Sequence, residues 1–282
     1  MADIQLTYIQ DLPAASALTD TDLFLLHQSG NEKSLTLLSL LSRVLSRQNP
    51  FADIKADGTV NTALSNLDLV TNGSVGRLMG APKVFQSSGT YIPSAGTKAI
   101  IVQVQAGGGA GGNATSGTGT TASTGAGGGA GGYAESYLNP VPASASIVVG
   151  SGGVSAAGGN SSFNGTIIAN GGAVGTSNAV SGATSFTGHA RSGAGGTATG
   201  GNIYNSKGGV GTPAIITQGI PSGGNGGASQ FSGSETGAGA SGGAGGSGAL
   251  GAGGSGAAQA IGGGGFGGGA GGDGIVFIWE YA

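Results

Sequence analysis

The 282-residue chain has no cysteine, two histidines, one tryptophan and a charged fraction of only 7%. Without cysteine, no disulfide or thiolate–metal framework can form. The net charge of −3 offers no basic footprint for nucleic acid. No run approaches the roughly 18 apolar residues that a membrane span requires. The N-terminus, Met1-Ala2-Asp3-Ile4-Gln5, lacks a basic stretch leading into an apolar one, so no signal peptide is expected. Acid–base catalysis is poorly supplied: residues 106–272 contain no aspartate, and residues 103–272 carry four charged side chains, Glu135, Arg191, Lys207 and Glu235. Those counts argue against a Ser-His-Asp hydrolase and against a paired-carboxylate glycosidase. No enzyme activity, cofactor or metal is expected.

What the chain has is glycine. There are 66, and 58 of them lie in residues 103–272. Gly239, Gly242, Gly245, Gly248, Gly251 and Gly254 recur every third residue, as do Gly262, Gly265, Gly268, Gly271 and Gly274. Three residues per turn is the period of the polyproline II helix. Collagen is excluded, because the register breaks and only Pro213 and Pro221 follow residue 142. Two options remain, a disordered linker or laterally bonded polyproline II helices. Such helices make no internal hydrogen bonds, so their backbone groups must pair with neighbours. Ordering glycine costs more backbone entropy than ordering any other residue, so a lone strip would not hold. Disordered segments are usually highly charged, and this one is not. The stack is therefore the expectation.

Apolar segments punctuate the glycine. Residues 83–86 and 90–93 read as a short hairpin, and 98–105 as a strand with Ile100, Val102 and Val104 on one face. Residues 133–138 and 147–149 read as strands and 161–169 as a second hairpin. Residues 274–281 end the chain as a strand apolar on both faces, expected to pair with 98–105. The glycine would then be an excursion tied to a β-sandwich. In the N-terminal third, residues 34–47 have helical spacing, with Ser34 as N-cap. His27 is placed in a turn after the 23–26 strand. Residues 57–69 hold a second short helix or an extended segment. The expected fold class is mainly β: a small α/β N-terminal region, then a β-sandwich-based domain with packed polyproline-II-type glycine helices.

Other motifs weigh little. Gly107-Gly108-Gly109-Ala110-Gly111-Gly112 fits G-x-G-x-x-G, but glycine this frequent matches by chance and no Rossmann unit follows. Lys207 is in the wrong order for a Walker lysine. The side chains that interrupt glycine are the binding candidates: Phe186, His189 and Arg191; Tyr204, Asn205 and Lys207; Gln230, Phe231 and Glu235; and an apolar turn at 215–218. Aromatic, amide and charged groups suit contact with carbohydrate or protein loops. Phe186, Tyr204 and Phe231 could equally be apolar filling of the stack.

Residues 11–26 (DLPAASALTDTDLFLL) with Lys33-Ser34-Leu35-Thr36-Leu37 resemble a segment of tailed-bacteriophage fibres and tailspikes near the virion-attachment end. Residues 49–58 and 63–67 resemble fibre-shaft phrasing. Residues 83–93, the 102–112 strand running into glycine, 131–135 and 272–276 resemble, in that order, the glycine-rich terminal domain of phage tail fibres. The layering is also similar to the tip adhesins of T-even-type phages. The resemblance implies a virion-borne, host-attaching fibre protein, most often a homotrimer. Residues 1–50 would bind other virion tail proteins, 51–81 would form a shaft, linker and trimerisation segment, and 82–282 would be the adhesin. Its partner would be an outer-membrane protein or polysaccharide of the host surface. The rival readings are a structural baseplate or tail-decoration protein, an ice-binding protein and a disordered spacer.

Overall fold

In a computed structural model, residues 23–28, 31–36, 52–56, 58–66, 76–116, 119–181 and 187–282 are described. The chain divides into two compact units, Met1–Gly73 and Ser74–Ala282.

In the first unit, β1 (Leu23–Gln28) and β2 (Asn31–Thr36) form an antiparallel ribbon, from Leu23 opposite Thr36 to Gln28 opposite Asn31. This corrects two expectations. Ser34 does not cap a helix; it sits within β2, opposite Leu25. His27 is not in a turn but in β1, opposite Glu32. The Ser-Leu-Thr sequence alternates polar and apolar side chains and so suits a strand as well as a helix. Pairing with the adjacent β1 decides between them. The remainder of the expected helix, 37–47, and the attachment segment 1–22 lie outside the described residues. Two short helices follow, α1 (Ala52–Ala56) and α2 (Val60–Asn66), so 60–66 takes the helical option.

The described residues of the second unit form sixteen strands: β3 (Lys83–Phe85), β4 (Gly89–Tyr91), β5 (Ala99–Gln105), β6 (Thr121–Gly125), β7 (Tyr133–Leu138), β8 (Ala145–Val148), β9 (Ser161–Phe163), β10 (Ile167–Ala169), β11 (Ser177–Ser181), β12 (Thr187–Ala190), β13 (Ala198–Thr199), β14 (Tyr204–Ser206), β15 (Ala214–Thr217), β16 (Ile220–Ser222), β17 (Ala258–Gln259) and β18 (Ile275–Tyr281). Ten of them make two five-stranded sheets, ordered β14-β7-β5-β18-β3 and β13-β10-β9-β8-β4. Their inner faces share one core, in which Ile100, Val102, Val104, Val276 and Ile278 of the first sheet meet Tyr91, Ile147, Phe163 and Ile167 of the second. The expected sandwich is present, and β18 pairs along its whole length with β5, Ile275 opposite Gln105 through Tyr281 opposite Ala99. The 161–169 hairpin also forms. The 83–93 hairpin does not. β3 joins β18 in one sheet and β4 joins β8 in the other. Each of these partners has a free edge to satisfy, and a chain crossing between sheets satisfies both.

Between the sandwich strands the glycine segments run out and back. Segment 106–112 leaves β5, and 125–132 returns antiparallel to it into β7. Their bonds run from Ala106 N to Gly132 O, Gly109 N to Gly129 O and Gly112 N to Ala126 O. Successive N–H groups of one segment point to different neighbours. Gly127, Gly128, Gly129 and Ala130 donate to Thr212, Gly254, Ala173 and Gly209 in turn, and Gly131 returns to the 251–257 segment at Gly251. The pattern repeats every three residues. Segment 125–132 also accepts from Gly109 and Gly112, from Gly193 and Gly196, and from Gly224 and Gly227. It therefore has six bonded neighbours: 106–112, 170–176, 193–196, 209–212, 224–227 and 251–257. Every buried backbone group in such a lattice needs a partner, and six close neighbours leave no room for a side chain at the glycine positions, while Ala126 and Ala130 bury only a methyl each. At Gly127, a Cβ would lie 1.7 Å from the carbonyl oxygen of Asn225.

Candidate functional site

The stack has two ends, fixed by connectivity. One is the sandwich. The other is a tip of two small sheets, β11-β6-β17 and β12-β15-β16.

At the tip, β15 and β16 form a hairpin closed by Gln218 and Gly219, with φ of 48° and 78°. Two positive-φ residues in a two-residue loop suit the twist of the flanking strands. The apolar turn expected at 215–218 is thus mostly strand. Ile216 is buried against Ala122, while Ile215 and Ile220 stand outward at 48% and 58% exposure. His189 on β12 is exposed and pairs across the sheet with Ile215. The Asn178 amide donates to the His189 carbonyl at 2.9 Å, tying β11 to β12. Arg191 follows directly, its backbone clamped by the Thr176 hydroxyl, which accepts from Arg191 N at 2.7 Å and donates to Arg191 O at 3.0 Å. Its side chain is exposed. The structure thus brings His189, Arg191, Ile215 and Ile220 to one end. Phe186 lies outside the described residues.

The other candidates go elsewhere. Tyr204 and Asn205 are on β14, at the edge of the first sandwich sheet, and Lys207 follows that strand. Asn205 is occupied locally, accepting from Gly201 N and donating to Gly201 O. Phe231 comes from a turn at the sandwich end and lies over the outer face of the same sheet, edge-on to Tyr133 at 5.6 Å and to Phe277 at 5.2 Å. Gln230 N donates to Gln105 at 3.3 Å. Glu235 is half-buried along the stack, its carbonyl accepting from Gly226 N.

Three polar positions escaped the sequence reading. Gln105, fully buried, donates to the carbonyls of Ala106, Gly131 and Gly132 at the seam between sandwich and stack. Glu280, 8% exposed, accepts from Tyr91 Oη at 2.7 Å and Ser94 N at 3.0 Å, and pairs with Lys83 Nζ at 3.0 Å. Burial alone would raise its pKa. Hydrogen bonds from Ser94, Tyr91 and Lys83 outweigh that and hold it at about 2. Tyr133 donates to Glu135 Oε2 at 2.8 Å, and burial followed by that carboxylate pushes its phenol well above the usual range. The strand alternation that places these groups was legible, but their partners are up to 189 positions away.

Among the described residues, no group of three or more His, Cys, Asp or Glu could hold a metal ion, and no helix is long and apolar enough to cross a membrane. Every buried side-chain nitrogen and oxygen among them has a hydrogen-bond partner.

No protein-family model matches the chain. A 44-residue stretch is 54% identical to the uncharacterized protein StfP of Escherichia coli strain K12. It covers 16% of this chain and 20% of that protein.

Proposed function

We propose that the chain is a phage tail-fibre protein that attaches the virion to the host bacterial surface through the tip of its glycine stack, reversibly and without catalysis. The observation that carries this reading is the architecture. A sandwich anchors antiparallel glycine segments, and those segments present small hairpins whose outward side chains include Ile215, Ile220 and His189. Exposed aliphatic groups on a rigid support suit a binding surface better than a spacer. The StfP stretch adds weak support, since that name hints at a side tail fibre. Wound as polyproline II, a segment the length of 125–132 is about 25 Å long, which sets the tip well clear of the sandwich. Residues 1–50 would hold the protein on the virion, and a homotrimer would convert modest contacts into avidity. The receptor is an outer-membrane protein or polysaccharide.

The test is host adsorption with a tip variant, Ile215→Asp combined with Ile220→Asp. Both side chains are exposed, so thermal unfolding should be unchanged, while adsorption of virions carrying the variant falls at least about tenfold. Unchanged adsorption after exchange of every tip loop would instead favour a structural tail or baseplate component.

A further inference from the structure

The outer face of the first sandwich sheet carries an ordered row of side chains that the tip reading does not use. Direct cross-strand partners on β3, β18, β5, β7 and β14 are Val84, Phe277, Gln103, Glu135 and Tyr204. At the strand spacing of about 4.8 Å, the row spans about 19 Å. Two residues further along, about 7 Å away, the next row holds Trp279, Ile101 and Tyr137. Aromatic rings therefore flank a polar centre on both sides.

That centre is oriented. Trp279 Nε1 donates to Gln103 Oε1 at 3.3 Å. On the neighbouring strand β7, the Tyr133 hydroxyl donates to Glu135 Oε2 at 2.8 Å. The Tyr133 bond leaves the other carboxylate oxygen, Oε1, with no hydrogen bond and no cation within ion-pair reach among the described residues. Tyr137 and Tyr204 are 44% and 51% exposed, and Phe277, Trp279, Gln103 and Glu135 are half-buried.

We infer that this face is a saccharide-binding platform, recognising a neutral oligosaccharide by ring stacking on Tyr137, Trp279 and Tyr204, beside the Phe231–Phe277 pair, and by hydroxyl donation to Glu135. The C–H face of a pyranose is apolar and slightly positive, and it complements the electron-rich face of an aromatic ring. Sugar hydroxyls are donors, and Glu135 offers an acceptor already aligned by Tyr133. A row about 19 Å wide suits several linked sugar rings. A peptide would more readily add to a sheet edge through its backbone. The single carboxylate disfavours an anionic glycan. The platform sits at the end of the stack opposite the tip, so the inference stands independently of the tip reading.

Trp279 is the single tryptophan of the chain and lies within the platform, so its fluorescence reports on this face alone. The full chain is titrated with maltohexaose, chitohexaose and a delipidated neutral O-polysaccharide, with octalysine as a peptide probe. At least one saccharide should give a saturable change, weakened about tenfold or more by Tyr137→Ala and by Tyr204→Ala. Glu135→Gln should weaken it as well, with the fold intact by circular dichroism. The Ile215→Asp/Ile220→Asp tip variant should bind the saccharide as the unaltered chain does, even if it no longer adsorbs to cells. The inference is overturned if no saccharide gives a saturable change, or if binding survives the Tyr137→Ala/Tyr204→Ala double variant. It is also overturned if octalysine alone titrates the signal, or if sedimentation shows a self-association that the double variant abolishes.

Discussion

Replacing Gly127 by alanine is expected to unfold the glycine stack cooperatively. The added Cβ would sit 1.7 Å from Asn225 O, 2.4 Å from Asn225 C and 2.9 Å from Gly226 N. These are backbone atoms and cannot swing aside. Relief requires moving segment 224–227 by more than an ångström. That segment is held by bonds from Gly224 N to Gly125 O at 3.0 Å, Gly227 N to Gly128 O at 2.9 Å and Thr212 N to Asn225 O at 2.8 Å. Each broken bond leaves a buried backbone group unsatisfied, at about 1–3 kcal/mol apiece. Overpacking adds its own cost, so a loss above about 4 kcal/mol is expected. Gly264 is the control. It is exposed, nothing lies within 4 Å of its would-be Cβ, and its alanine variant should stay within about 0.5 kcal/mol. Urea titration followed by circular dichroism, with hydrogen exchange of the stack amides, compares the two. Equal midpoints would show that the stack is far softer than its bond pattern implies.

Acid should remove a second large contribution, through Glu280. Its pKa lies at about 2 in the folded protein, below the 4.5 of an unperturbed glutamate. A depressed carboxylate stabilises the fold fully above its unfolded pKa and loses that contribution as pH falls through its folded one. The window is therefore about pH 5 down to about pH 2, and the contribution is on the order of 3 kcal/mol. Glu280 stands near the end of β18 and ties it to Tyr91 and Ser94, across the sandwich from its own sheet, and to Lys83 on β3. Glu280→Gln should lower the urea midpoint at pH 7 and flatten its pH dependence below pH 5. A variant that tracks the unaltered chain from pH 7 to pH 2.5 would remove Glu280 as the source of acid sensitivity.

The sheet strands were largely readable in advance. Ile100, Val102 and Val104 alternate as a half-buried strand must, and the apolar run 275–278 could not end the chain exposed. The three-residue glycine register was readable too, because it is local. The errors came where two local solutions were equally good. Ser34-Leu35-Thr36 suits helix or strand, and its neighbour β1 chose. Residues 83–93 suit a hairpin, but free edges on two different sheets drew the halves apart. Of the candidate binding side chains, His189 and Arg191 reached the tip, whereas Tyr204 and Phe231 joined an aromatic cluster at the opposite end. Spacing along the chain carried no information about that split, because each glycine segment reverses direction.

The sequence by itself determined the material: a sparsely charged, cysteine-free chain whose glycine, registered in threes, can pack backbone against backbone. It also determined that an apolar last strand must be buried. Only the tertiary structure decided which segments touch. A central glycine segment bonds six others drawn from positions 106 to 257, and one row of the sandwich joins Val84, Gln103, Glu135, Tyr204 and Phe277. The physical reason is that glycine segments are nearly identical as hydrogen-bonding partners. Their arrangement is set by the distinct strands and hairpins at their two ends, through register and side-chain packing that act across distances no local pattern records.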